Sequence, residues 1–190
     1  LGRVAAGLDS AIIAETEIQR QVKVAYAKAC ELTRLPPCLH YVFQKALKLS
    51  KCVRSQLQID QRAPTLCQAI WQLAATHGKN LKTKRILLVG HSEINRRLAF
   101  FLFQRGVANF SLATKHPESV HLQGCRVFDR TEIQRWRAYD LIVCATHSER
   151  YLIEGISHER HTIFDLSVPR NVDPNVGNQP LIHLYNIEQI

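Results

Sequence analysis

From Lys84 onward the sequence alternates short, unbroken apolar runs with amphipathic stretches, and that alternation restricts the fold more than any other feature of the chain. The runs are "RILLVG" (85–90), "NFSLAT" (109–114), "CRVF" (125–128), "YDLIVCAT" (139–146), "HTIFDLS" (161–167) and "LIHLYNI" (181–187). Short continuous apolar runs separated by turn residues are the pattern of parallel strands covered on both faces. Between the first two lies "EINRRLAFFLFQRG", read as a helix closed by Gly106, and residues 131–137 read as a further short helix. Strand, helix, strand order of this kind predicts a doubly wound α/β domain, a parallel sheet with helices on its faces.

The front of the chain has a different rhythm. Residues 11–33 place Ile12, Ile13, Ile18, Val22, Ala25, Tyr26 and Ala29 near a 3.6-residue period, which predicts an amphipathic helix broken by Pro36 and Pro37. A second helix is expected from about residue 39 to 57, with Val42, Phe43, Ala46, Leu49 and Val53 inward and Lys45, Lys48, Lys51 and Arg54 outward. That basic edge reads either as a solvated face or as a docking surface. A third helix is expected over 63–76, opening with Pro64 near its first turn, where a missing amide hydrogen costs little. The expected division is therefore a helical part, residues 1–66, ahead of a sheet domain, residues 67–190.

Composition narrows the class. The chain is 46% hydrophobic and 22% charged, ordinary values for a soluble globular protein, and no apolar run approaches the length of a membrane span. Its net charge of +9 divides into +5 for residues 1–66 and +4 for residues 67–190, so the helical part is the more basic per residue. Such a balance suits an acidic partner such as nucleic acid. The six cysteines form no Cys-x-x-Cys pair and no zinc spacing, and are expected to be free thiols in a reducing cytoplasm. The chain starts at Leu1, contains no methionine and shows no signal-peptide pattern, so a missing front end is expected.

The turn after the first strand, "GHSEIN", is the first candidate site. A dinucleotide turn uses three glycines: one to turn, one for backbone approach to pyrophosphate, one for close helix packing. Only Gly90 remains here, with Ser92 and Asn95 in the other two places. Ser92 could donate to a phosphate, the helix amino terminus favours an anion, and Arg96 and Arg97 add positive charge nearby. The alternatives at this point are a nucleotide-binding turn and a Rossmann-like domain that has lost its ligand.

Other strand ends add candidates. The second strand ends at Thr114, Lys115 and His116, without the acid that would read the ribose of NAD; Lys115 leans toward the 2′-phosphate of NADP, or is a surface lysine. After "DLIVCAT", Thr146 is a candidate cofactor contact and Cys144 a buried strand thiol. "DLSVPR" either lines the cleft through Asp165 and Arg170 or forms a rigid turn fixed by Pro169.

Three stretches resemble the glutamyl-tRNA reductase family. "RVAAGLDSAIIAETEIQRQVKVAYAKA" is similar to its Gly-Leu-Asp-Ser turn and following helix, "VFQKALKLSKCVRSQLQI" to its Phe-x-x-Ala-x-x-x-x-Lys-x-Val-Arg helix, and "IFDLSVPRNVDPNVGNQPLIHLYNIEQI" to its Asp-x-Ala-Val-Pro-Arg-Asp-Ile-Asp-Pro block. The matches run in order over essentially the whole chain. The resemblance implies a Rossmann-like sheet preceded by an α-helical segment from a catalytic domain, and NADPH-dependent reduction of glutamyl-tRNA to glutamate-1-semialdehyde in tetrapyrrole synthesis. It places Ser10, Glu15, Thr16, Glu17 and Gln21 at the pocket for the glutamyl group, and Gly90, His91, Ser92, Glu93, Ile94 and Asn95 on the NADPH-phosphate turn. Glu17 stands where the family has Gln and Ala14 where it has Gly, and a carboxylate at 17 loses a donor.

The family's nucleophilic cysteine sits in a Thr-Cys-Asn-Arg motif that none of the six cysteines here has, so no catalytic residue is assigned and the chain alone is expected to be inactive. The resemblance also implies glutamyl-tRNA as partner, the next enzyme of the pathway, glutamate-1-semialdehyde aminomutase, as another, and a dimerisation domain absent from this chain. Two further readings stand beside it. One is a non-catalytic Rossmann-like scaffold that binds tRNA or a protein; the other, a shikimate-type NADP dehydrogenase, fits the sheet and explains none of residues 1–60.

Overall fold

The computed structural model describes residues 1–9, 16–56, 65–78, 80–107, 109–122 and 124–190. It resolves into two compact units, Leu1–Leu66 and Cys67–Ile190. No described helix is long and apolar enough to cross a membrane.

The first unit holds α1 (Gly2–Ala5), α2 (Thr16–Leu32) and α3 (Pro37–Gln56). The expected helix over 11–33 is observed from Thr16, its earlier residues lying outside the described ones. Pro37 does not merely break the chain but opens α3, because a first-turn residue needs no amide donor and proline presets the helical φ. Between α2 and α3 the Tyr26 and Phe43 rings stack at 5.4 Å, Tyr26 Oη meets His40 Nδ1 at 2.7 Å, and Gln19 Nε2 donates to the buried Ser50 Oγ at 2.8 Å. The inward stripe of α3 runs through Phe43, Ala46, Leu47 and Ser50, the i, i+3, i+4, i+7 spacing of one helix face. Val42 and Leu49 lie one residue round from that stripe and are exposed, which corrects the expectation that they face inward.

The second unit contains α4 (Leu66–His77) from its second residue onward and a six-stranded sheet. Its strands are β1 (Ile86–Val89), β2 (Phe110–Thr114), β3 (Cys125–Asp129), β4 (Leu141–Cys144), β5 (His161–Asp165) and β6 (Ile182–Asn186). All pairs are parallel and the order is β3-β2-β1-β4-β5-β6. The expected doubly wound α/β fold is thus the observed one. Register follows from burial: β1 is completely buried between β2 and β4, Val89 lying level with Ala113 and Cys144.

Helix α5 (Glu93–Gln104) packs Asn95, Leu98, Ala99 and Leu102 inward. It ends where expected, Gly106 taking φ +73° so that Gly106 N and Val107 N reach back to the carbonyls of Phe103 and Leu102. The expected short helix at 131–137 is instead a 3₁₀ segment, Arg130–Ala138. Asp129 caps it by accepting from Thr131 N at 2.7 Å, and three residues per turn set Ile133 and Trp136 on one side, where both are buried. Trp136 meets the ring of the buried His161 edge-on at 5.0 Å. His161 Nδ1 donates to the Tyr139 carbonyl at 2.6 Å, and Nε2 lies 2.6 Å from Ser157 Oγ.

Candidate functional site

Strand order reverses between β1 and β4, and in open parallel sheets that crevice, beyond the carboxyl ends of the strands, is where ligands bind. The residue that turns the chain there is Gly90, with φ +95° and its amide bonded to the Ala113 carbonyl at 2.8 Å. A Cβ at this position would lie 2.4 Å from Thr146 Cβ and 2.8 Å from the Ala145 carbonyl oxygen. Glycine is therefore required twice over, by backbone conformation and by the approach of the segment following β4.

The two places without glycine are filled differently. Ser92 is the N-cap of α5, its Oγ accepting from Asn95 N at 3.3 Å while its hydroxyl hydrogen remains available to a ligand. Asn95 is only 1% exposed, and its Nδ2 donates to the carbonyls of Val89 and Gly90 at 2.9 and 2.8 Å. That side chain ties the turn from beneath, and its buried Oδ1 has no partner among the described residues. Ile94 and His91 are half-buried, and burial together with the charge of Arg96 lowers the His91 pKa, leaving the ring neutral at neutral pH. Glu93 draws both nearby arginines onto itself, Arg96 Nη2 at 2.5 Å and Arg97 Nε at 3.1 Å, so one carboxylate is shared between two guanidinium groups.

Around this turn stand the other strand ends. Lys115 and His116 are exposed after β2, while Thr114 is buried and its Oγ1 accepts from His116 N at 3.4 Å. Thr146 follows β4, half-buried; its amide donates to Ser167 Oγ at 3.2 Å and its Oγ1 accepts from Arg130 Nη1 at 3.3 Å. At the end of β5 the 3% exposed Asp165 accepts the amides of Ser167, Asn171 and Val172 at 3.2, 2.9 and 3.0 Å. Of the two readings of "DLSVPR", the rigid turn accounts for this carboxylate; the segment includes a cis Val168–Pro169 bond. Arg170 is exposed and makes no ion pair among the described residues. It borders a cleft of about 220 Å³ with Asp165, Asn178 and Asn186.

The thiols here are inert by environment. Cys144 is completely buried, and burial first, then the charge of Asp165, raises its pKa well above the ordinary value. Burial pushes Cys125 up to about 11. No group of three or more His, Cys, Asp or Glu that could hold a metal occurs among the described residues.

In the first unit, Ser10 and Glu15 lie outside the described residues. Thr16 and Glu17 are the first two residues of α2, and Gln21 is exposed one turn further along. Arg130 is the residue that sequence reading missed. It follows β3 directly, and a survey of the residue after every parallel strand would have found it. The inward tie made by Asn95 had no signal in the sequence beyond the missing glycine.

Residues 1–57 match the family model described as glutamyl-tRNAGlu reductase, N-terminal domain, and residues 72–190 match that of shikimate / quinate 5-dehydrogenase. A glutamyl-tRNA reductase of Desulforudis audaxviator is 32% identical over 204 residues, covering 100% of this chain and 46% of that protein. The one of Chlamydia abortus is 36% identical, covering 88% of this chain and 50% of its own length. The solved glutamyl-tRNA reductase of Methanopyrus kandleri is 30% identical with a TM-score of 0.58, over 98% of this chain and 51% of that one. The solved dipicolinate synthase of Bacillus subtilis, 16% identical with a TM-score of 0.54 over 63% of this chain and 43% of that one, shares the fold. The chain spans about half the length of the curated relatives it matches.

Proposed function

Because the chain belongs to the glutamyl-tRNA reductase family, its residues 72–190 falling in the shikimate/quinate 5-dehydrogenase domain family, we propose that it serves the NADPH-dependent reduction of glutamyl-tRNA to glutamate-1-semialdehyde in tetrapyrrole synthesis. In this reading residues 67–190 hold the cofactor and residues 1–66 supply part of the substrate pocket. The observation that carries it is the order of the two family matches on one chain, the second bearing a Gly90 turn at the switch point of its sheet.

The donor set fits a dinucleotide. Gly90 lets the turn close against Thr146, and Ser92 Oγ and the first-turn amides of α5 would hold the pyrophosphate. Lys115, at the end of β2, would take a 2′-phosphate, which is the reason for naming NADPH. Bound there, NADPH supplies a hydride. Ser10, Glu15, Thr16, Glu17 and Gln21 would face the glutamyl group. No cysteine of this chain is assigned the nucleophilic step. Glutamyl-tRNA is the proposed partner, with glutamate-1-semialdehyde aminomutase as the enzyme that takes the product, in the cytoplasm.

Glu93 favours a second reading. Its carboxylate stands in the first turn of α5, where a phosphate would also bind, and a scaffold module that recruits tRNA or a protein needs no cofactor there. Fluorescence titration of the chain with NADPH and NADH separates the two. Tighter binding of NADPH supports the reductase, and failure of both at millimolar concentration supports the scaffold.

A further inference from the structure

The half-buried arginine beside Gly90 has no structural duty equal to its charge. Arg130 Nη1 makes a 3.3 Å hydrogen bond to Thr146 Oγ1, and no other hydrogen bond or ion pair joins Arg130 to the described residues. A guanidinium carries five donors, and its planar fork suits two oxygens of one anion. The adjacent carboxylate of Asp129 caps Thr131 N and interacts with Arg130 by charge alone, without a hydrogen bond or close ion pair. Several other arginines of the second unit are used within the fold, Arg85 on Asp140, Arg96 and Arg97 on Glu93, Arg137 on the carbonyls of Glu154 and Ile156, whereas Arg126, Arg150, Arg160 and Arg170 are exposed to solvent.

Its position is specific. Thr146, the residue it bonds, is the one whose Cβ and Oγ1 would lie 2.4 and 2.9 Å from a Cβ at Gly90, so the guanidinium reaches the turn from a backbone position that flanks the end of β2, where Asp129 is level with Thr114. We propose that Arg130 binds the pyrophosphate of the dinucleotide, its fork taking phosphate oxygens while Thr146 orients it, and so replaces the close backbone contact that a glycine at position 92 would give. This rests on the dinucleotide reading above.

The test is a calorimetric titration of the full 190-residue chain, Arg130→Ala and Arg130→Lys with NADPH and with NADH, alongside a melting curve of each protein without ligand. Loss of a charge-assisted contact common to both cofactors weakens both by the same factor, about ten- to a hundredfold for Arg130→Ala. Arg130→Lys, which keeps the charge and loses the fork, is expected in between. Unchanged affinity in Arg130→Ala overturns the proposal and leaves the cofactor reading intact. Weakening confined to NADPH also overturns it, because the arginine then reads the 2′-phosphate. Equal loss in Arg130→Lys and Arg130→Ala with a lowered melting temperature assigns the residue a purely structural role and overturns it too. Failure of the unsubstituted chain to bind either dinucleotide defeats the cofactor reading itself and this proposal with it.

Discussion

Replacing Gly90 by alanine tests the geometry of the turn, because the structure gives two separate penalties and a control for one of them. At φ +95° an L-residue is strained, a cost of about 1–2 kcal/mol. The new methyl would also sit 2.8 Å from the backbone oxygen of Ala145 and 2.4 Å from Thr146 Cβ; a carbonyl on a buried strand end cannot swing aside, so overpacking adds about 1–3 kcal/mol. Gly106 shares the positive φ, at +73°, but the nearest atom to a Cβ there is Lys82 Nζ at 3.9 Å, so Gly106→Ala bears the conformational cost alone. In a unit of this size 1 kcal/mol moves the melting temperature by about 4 °C. Gly90→Ala should therefore lower it by about 8–20 °C and Gly106→Ala by about 4–8 °C, followed by circular dichroism. Equal shifts, or a Gly90→Ala protein as stable as the parent, would refute the close approach of the β1 turn to the segment after β4.

The remaining expectations concern charge. Burial lowers the pKa of His77, with His183 adding to it, and of His91, so both bind fewer protons folded than unfolded. Stability is then fully present above about pH 6.5 and falls as pH drops through that value, which denaturant titrations at about pH 7.5 and 5.5 would show; a higher midpoint at the lower pH contradicts it. Asp140 shows linkage of the same sign in the carboxylate range. Burial opposes its ionisation, but the backbone amide and guanidinium of Arg85 outweigh that and hold its carboxyl below the usual range. Asp140→Ala should cost about 1–2 kcal/mol at neutral pH, and the difference from the parent should vanish as pH falls through the carboxylate range. On α3, Lys48 and Lys51 are exposed; if that face meets tRNA, the double alanine variant should reduce the salt slope of tRNA affinity by roughly 1.5. An unchanged slope in a filter-binding series places the contact elsewhere.

The strands were legible because each is an unbroken apolar run with no competing period, and α5 because Gly106 marks its end. Less was written in the local sequence wherever a neighbour decides the outcome. Residues 131–137 look helical, and an i, i+3 pair such as Ile133 and Trp136 shares a face in an α-helix and in a 3₁₀ turn alike, so the pattern did not distinguish the observed 3₁₀ segment with its break at Glu132. Val42 and Leu49 are apolar and exposed, since hydrophobicity does not say which of two adjacent helix stripes meets a partner. Ser92 and Asn95 read as defects in a glycine turn, whereas Asn95 serves as an internal tie whose partners are backbone carbonyls that no pattern reveals. Arg130 was missed because its importance lies in Thr146, sixteen residues away.

The most direct test of the account is amide hydrogen exchange of the chain with and without saturating NADPH. The account predicts slowed exchange in the turn at 90–95, at 114–116 and at Thr146, with the sheet core unchanged. Binding that leaves those amides as they were, or that protects a different part of the second unit, would contradict a cofactor site at the switch point.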